Sequence, residues 1–145
     1  MIEGLELAGD ERVLEVGTGS GYGAAVLSRI ASVVYTIERH PNLAEAARER
    51  FRRLGYTNIH VRIGDGSLGW PEHAPYDAVL ATAAAPEIPG PLMTQLALGG
   101  RMVIPVGSSP DEQKLIRVRH EPPGQFSQEV LGEVRFVPLV GEEAW

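Results

Sequence analysis

The sequence predicts an α/β fold: a doubly wound, Rossmann-like, mostly parallel sheet with helices on both faces and an antiparallel hairpin at its C-terminal edge. Two observations carry this expectation. Short β-branched apolar runs alternate with segments of helical spacing through the first two thirds of the chain, which calls for a parallel sheet with right-handed crossovers. The last third then loses its helices, leaving two strand-like segments joined by a turn-rich stretch.

The first element is Arg12 to Gly23, R-V-L-E-V-G-T-G-S-G-Y-G. Val13, Leu14 and Val16 suit a buried parallel strand, and the run breaks into glycines at 17, 19, 21 and 23. Ala24, Ala25, Val26, Leu27 and Ile30 resume at helical spacing. This is strand, ligand-cradling loop, helix. Ser32 to Ile37 forms a second strand ending on Glu38, and Pro41 stands where the first turn of a helix accepts proline. Leu43, Ala46, Ala47, Phe51 and Leu54 continue that helix to Gly55, with charged residues on its solvated face.

Asn58 to Ile63 reads as a third strand running into Gly64-Asp65-Gly66, and Asp77 to Ala81 as a fourth. Leu92 to Leu98 reads as a helix stopped by Gly99-Gly100, followed by a fifth strand, Arg101 to Val106. Lys114 to His120 and Gln128 to Val137, joined by E-P-P-G-Q, form the expected hairpin. Met1 to Leu7 looks like the last turn or two of a helix.

Composition narrows the chemistry. A chain of 145 residues, 43% hydrophobic, has the size of one domain with a real core. It contains no cysteine, which excludes disulfides, thiolate metal sites and thiol nucleophiles and makes the cytoplasm the default compartment. A net charge of −6 provides no general attraction for a phosphate backbone, so nucleic acid is not the expected partner. The apolar runs fall short of a membrane span, and the N-terminus lacks a signal-peptide layout. His40, His60, His73 and His120 show no metal-ligand spacing, and no metal is expected.

Spacing decides among cofactors that use a glycine-rich turn. The dinucleotide pattern G-x-G-x-x-G, counted from the strand end, would need a small residue at 22, where Tyr22 stands. Gly19, Gly21 and Ala24 fit the pattern two residues later, but Gly19 is not the residue that leaves the strand. No Lys-Ser or Lys-Thr pair makes a P-loop. What remains, Glu15-Val-Gly17-Thr-Gly19-Ser-Gly21, resembles the first motif of the S-adenosylmethionine-dependent methyltransferases. Glu38, at the end of strand two, can accept both ribose hydroxyls; Asp65, at the end of strand three, lies within reach of an adenine amino group. Thr18, Ser20 and Tyr22 can add hydrogen bonds or a wall, although Tyr22 also suits packing on the first helix.

Further motifs, D-G-x-x-G-W-P, A-A-A-P-E-I-P, I-P-V-G and R-F-V-P-L, make nearly the whole chain similar to the protein-L-isoaspartate O-methyltransferases. The resemblance implies a cofactor site of Glu15, Gly17, Thr18, Gly19, Ser20, Gly21, Tyr22, Glu38, Asp65 and Gly66. It implies a substrate side at Val106, Gly107, Phe136, Val137 and the following Pro138-Leu139. The implied reaction is methyl transfer from S-adenosyl-L-methionine to the α-carboxylate of L-isoaspartyl residues in damaged proteins, leaving S-adenosyl-L-homocysteine. No catalytic residue is assigned, because the carboxylate nucleophile is already ionised at neutral pH. The resemblance also implies a segment before Met1 that grips the isoaspartyl group and covers the cofactor. The chain is therefore expected to be N-terminally truncated relative to that family. Weaker cofactor binding, impaired repair and self-association through exposed apolar surface should follow. A catalytically inactive S-adenosylmethionine-binding module and an NAD-dependent oxidoreductase are the alternatives; the second lacks a Tyr-x-x-x-Lys pair.

Overall fold

In the computed structural model, which describes residues 1–145, the elements run β1 (Arg12–Val16), α1 (Tyr22–Ile30), β2 (Val33–Glu38), α2 (Pro41–Arg53), β3 (Ile59–Ile63), β4 (Tyr76–Ala81), α3 (Gly90–Thr94), β5 (Leu96–Ser109), β6 (Glu112–Glu121) and β7 (Gln125–Val134). They form a seven-stranded sheet in the order β3-β2-β1-β4-β5-β6-β7. β1 to β5 pair in parallel, and β6 and β7 are antiparallel additions at one edge. The chain winds outward from β1 to β3, then crosses back to β4 on the other side of β1. The winding direction thus reverses between β1 and β4, where the carboxyl ends of the strands open a crevice.

Side chains alternate across the strands and so build two cores. Val13, Val34, Ala78, Leu80 and Val103 face Ala24 and Leu27 of α1 and Ala47 and Phe51 of α2. Both helices lie on this face because both crossovers are right-handed and step in the same direction. Leu14, Val16, Ile37, Val79, Met102 and Ile104 face the opposite side, which is covered by Leu92 of α3, Trp70 and Leu139. That cover is thinner: α3 has five residues, and the β3–β4 connection contributes only 3-10 turns at Gly66–Leu68 and Pro71–His73.

Three expectations need correction. The helix expected over Leu92 to Leu98 ends at Thr94, and Leu96 to Gly100 already belong to β5. Gly99-Gly100 is a strand irregularity rather than a helix stop: the β4 partner steps from Leu96 opposite Tyr76 to Arg101 opposite Ala78. A Cβ on Gly100 would lie 2.8 Å from the Ala97 carbonyl, so the backbone closes in where only glycine fits. At the other end, β7 stops at Val134 rather than Val137. The opening segment forms a 3-10 turn, Ile2–Leu5, rather than the end of an α-helix. Leu5 is fully buried there, and Arg101 reaches the Leu5 and Glu6 carbonyls. No helix is long and apolar enough to cross a membrane.

Candidate functional site

The glycine loop is folded across the tip of β2. The Gly17 and Thr18 amides both donate to the Ile37 carbonyl, at 2.9 and 3.2 Å, and the Gly21 amide returns to the Thr18 carbonyl. Gly17 has a φ of 100°, and a Cβ there would lie 2.5 Å from the Thr82 hydroxyl, which itself donates to the Gly17 carbonyl at 2.9 Å. Both constraints demand glycine.

Beneath the loop runs a buried hydroxyl relay. The Thr36 hydroxyl donates to Glu15 Oε1 at 2.7 Å, and the Thr18 and Thr36 hydroxyls are 2.7 Å apart. Thr36 has one hydroxyl proton and gives it to Glu15, so Thr18 donates to Thr36. Glu15 is 1% exposed, with its other oxygen pressed against the backbone of Gly23. Burial pushes its carboxyl up to about 8; the Thr36 hydrogen bond opposes this, and the nearby negative Glu38 adds to it.

Glu38 faces the crevice itself. Its Oε1 accepts from the Gly19 amide at 2.8 Å and its Oε2 from the His40 amide at 3.0 Å, so it pins the glycine loop to the start of α2. Each oxygen keeps a second lone pair. Asp65, two residues past the end of β3, caps the 3-10 turn at Gly66–Leu68 and is held on both sides: Oδ1 accepts from the Ser67 amide at 3.0 Å and hydroxyl at 2.6 Å, and Oδ2 from the Glu142 amide at 2.8 Å. Burial would raise this carboxyl, but the hydrogen bonds from Ser67 and Glu142, with the Arg39 charge, outweigh it and hold it below the ordinary aspartate range. Gly66 packs directly on Val16.

Gly17, Gly19, Glu38, Gly66, Thr82 and Val137 are among the residues lining a cleft of about 320 Å³ over the strand tips. The other predicted residues lie around this cleft in different ways. Glu15 and Thr18 support the loop from below and do not line the cleft. Ser20, Gly21 and Tyr22 face a separate groove between α1 and α2, where Tyr22 is 77% exposed. Asp65 is not among the residues lining the cleft; it lies under the C-terminal tail, against Gly141 and bonded to the Glu142 amide. Val106 and Gly107 line an open depression of about 770 Å³ beyond β5, together with Lys114 and Arg135.

The wall between cleft and depression is backbone. The Ala84 amide donates to the Val137 carbonyl and the Leu139 amide to the Ala84 carbonyl, at 2.8 and 2.7 Å; the Gly107 amide donates to the Ala85 carbonyl at 3.0 Å. The loop after β4 is thereby zipped between the tail and the end of β5, which brings Val106, Gly107 and Val137 to one rim. Sequence reasoning missed Thr36, Thr82, His40, Leu43 and Val140. His40 and Leu43 had a usable signal, since they follow Glu38 into the first turn of α2. Thr36 looked like any β-branched strand residue, and Val140 reaches the cleft only because the tail crosses it.

Known proteins resemble this chain over nearly its whole length. The family model described as "Protein-L-isoaspartate(D-aspartate) O-methyltransferase (PCMT)" matches residues 1–144. The chain is 59% identical, over all 145 residues, to protein-L-isoaspartate O-methyltransferase 2 of Pelobacter propionicus and 58% identical to protein-L-isoaspartate O-methyltransferase 1 of Geotalea uraniireducens. It spans 64% and 66% of those relatives' lengths. A solved protein-L-isoaspartate O-methyltransferase superimposes with a TM-score of 0.89 at 32% identity, covering 99% of this chain and 46% of that one. A Plasmodium falciparum structure, a candidate beta-aspartate methyltransferase in complex with S-adenosyl-L-homocysteine, gives a TM-score of 0.73 at 26% identity, covering 91% and 66%. With the family model matched over all but the last residue, the chain belongs to the protein-L-isoaspartate(D-aspartate) O-methyltransferase family.

Proposed function

We propose that the cleft over the strand tips binds S-adenosyl-L-methionine and that the protein transfers its methyl group to the α-carboxylate of L-isoaspartyl residues in damaged proteins. The observation that carries this reading is the pairing of the Gly17–Gly19 cradle with the Glu38 carboxylate across one cleft. A cradle without side chains lets a ligand approach the backbone. A carboxylate with unused lone pairs suits the ribose hydroxyls of a nucleoside, NAD included, so it is the glycine register, with Tyr22 where the dinucleotide pattern needs a small residue, that favours a nucleoside bearing a cationic sulfonium.

When bound, the cofactor supplies an electrophilic methyl group. The chain's own residues bind and orient. Glu38 would accept the ribose hydroxyls while Asp65 and Gly66 meet the adenine. Gly17 and Gly19 give backbone access to the amino-acid end, and Glu15 and Thr18 keep the loop in shape from below. Ser20, Gly21 and Tyr22 complete the turn on its outer side. On the acceptor side, Val106, Gly107, Phe136 and Val137 would frame the isoaspartyl peptide. Its carboxylate is ionised at neutral pH, so no general base is needed. Holding carboxylate and methyl in line and excluding water can contribute about 7 to 11 kcal/mol in well-oriented systems. The nitrogen of the following peptide bond in the substrate then attacks the ester carbonyl and loses its proton to the departing methoxide, so that methanol leaves and a succinimide forms; water opens that ring to aspartate or back to isoaspartate.

The reading includes a cytosolic site of action and self-association through exposed apolar side chains such as Tyr22 and Leu54. A light-scattering mass that stays monomeric over a wide concentration range would remove the second. The function is tested by calorimetric titration with S-adenosyl-L-homocysteine, then by methyl transfer to an isoaspartyl peptide with the matching aspartyl peptide as control. Binding with isoaspartyl-selective turnover is expected. Binding without turnover would favour a cofactor-binding module, and displacement by NAD would overturn the cofactor assignment.

A further inference from the structure

We propose that Gln113, at the start of β6, is the positioning residue for the acceptor side of the site. The inference rests on the function proposed above. Gln113 is 5% exposed, and a buried amide must find partners for its oxygen and nitrogen. Here all of them are backbone groups. Oε1 accepts from the Phe136 amide at 2.7 Å, and Nε2 donates to the Phe136 carbonyl at 3.0 Å and to the Pro110 carbonyl at 3.2 Å.

The side chain thus does what a strand backbone would do. The last β6–β7 pair is Gln113 with Val134, after which the ladder ends. Two residues further on, the Gln113 amide takes both backbone groups of Phe136, so the chain leaves the sheet at a defined place and angle. It then crosses to Ala84, which bonds Val137 and Leu139. Pro110 lies in the turn between β5 and β6, three residues beyond Gly107. One buried amide therefore ties together the two segments that carry the proposed acceptor rim: Val106–Gly107 on one side, Phe136–Val137 on the other. The Gly17, Gly19 and Glu38 side of the cleft has no bond to it.

The test compares Gln113→Met, which keeps the length and removes the polarity, with Gln113→Glu. A neutral carboxylic acid has one acceptor and one donor and can still pair with both groups of Phe136; the ionised form cannot. For Gln113→Met, KM for an isoaspartyl peptide should rise about tenfold while affinity for S-adenosyl-L-homocysteine changes less than threefold. For Gln113→Glu, the excess in KM over the unsubstituted chain should shrink as pH falls from 8 to 6. A purely structural role would lower the melting temperature and leave KM unchanged well below it, and that result overturns the proposal. A pH-independent excess does so too. In the ligand-free chain, hydrogen exchange at the Leu139 amide should accelerate at least tenfold in Gln113→Met, with Val118 in the centre of β6 unaffected. Unchanged exchange at Leu139 refutes the clamp whether or not the chain transfers methyl groups. Absence of methyl transfer by the unsubstituted chain would instead count against the proposed function, and the exchange result would still decide the role of Gln113.

Discussion

Replacing Glu15 with glutamine separates a residue that touches the cofactor from one that shapes the loop beneath it. The folded chain holds this carboxyl up to about 8, against an ordinary value of 4.5, first because it is buried. A group whose folded value is raised favours the fold fully at pH below its unfolded value and loses that contribution as pH rises toward the folded one. The window is therefore pH 4.5 to 8. At about 1.4 kcal/mol per pH unit, the carboxyl costs the fold about 4 kcal/mol by pH 8 relative to acid conditions. Glutamine keeps the oxygen that accepts from Thr36 and never ionises, so Glu15→Gln should gain on the unsubstituted chain steadily from pH 5 to pH 8. Urea unfolding of both chains across that range measures the difference, and titrations common to both cancel in it. A stability difference independent of pH would refute the reasoning. Affinity for S-adenosyl-L-homocysteine should stay within threefold at pH 7. A loss of tenfold or more would mean that the carboxylate reaches the ligand.

Three further substitutions probe the cleft. Gly17→Ala adds a side chain at a φ of 100° and 2.5 Å from the Thr82 hydroxyl; strain and overpacking of about 1–3 kcal/mol should lower the melting temperature and abolish calorimetric binding of S-adenosyl-L-homocysteine. Glu38→Gln must turn an NH2 toward either the Gly19 or the His40 amide, losing about 1–3 kcal/mol and at least tenfold in nucleoside affinity; calorimetry showing undiminished affinity would contradict the role given to Glu38. Asp65→Asn cannot accept from Ser67 and Glu142 with both side-chain atoms, so the tail should loosen and Trp145, whose indole donates to the Ala84 carbonyl, should become more exposed to a fluorescence quencher. Because Asp65 is held below its ordinary value, its stabilising contribution is present above the unfolded value near 3.8 and is lost as pH falls through the folded one. Asp65→Asn should therefore reduce the dependence of tail exposure on pH at the acid end.

Local sequence chemistry was enough to determine the alternation of strands and helices through β4, the glycine loop, and the carboxylates closing β2 and following β3. Each depends on contiguous residues: an apolar run has one strand period, and clustered glycines after it leave few conformations other than a turn. The glycine pair at 99 and 100 misled for the same reason. A glycine after an apolar run reads as a helix stop, but whether it ends a helix or bends a strand depends on the partner strand, and Tyr76 and Ala78 lie more than 20 residues upstream. The tertiary structure alone decided which loop residues face the cleft. Glu15 and Glu38 are both strand carboxylates, yet strand alternation and the position of α1 put one under the loop and the other on the cleft. It also decided that Phe136 leaves the sheet, since the amide that ends the ladder belongs to Gln113, 23 residues away in the chain. Contacts of that kind come from long-range packing, which residue spacing along a single chain does not encode.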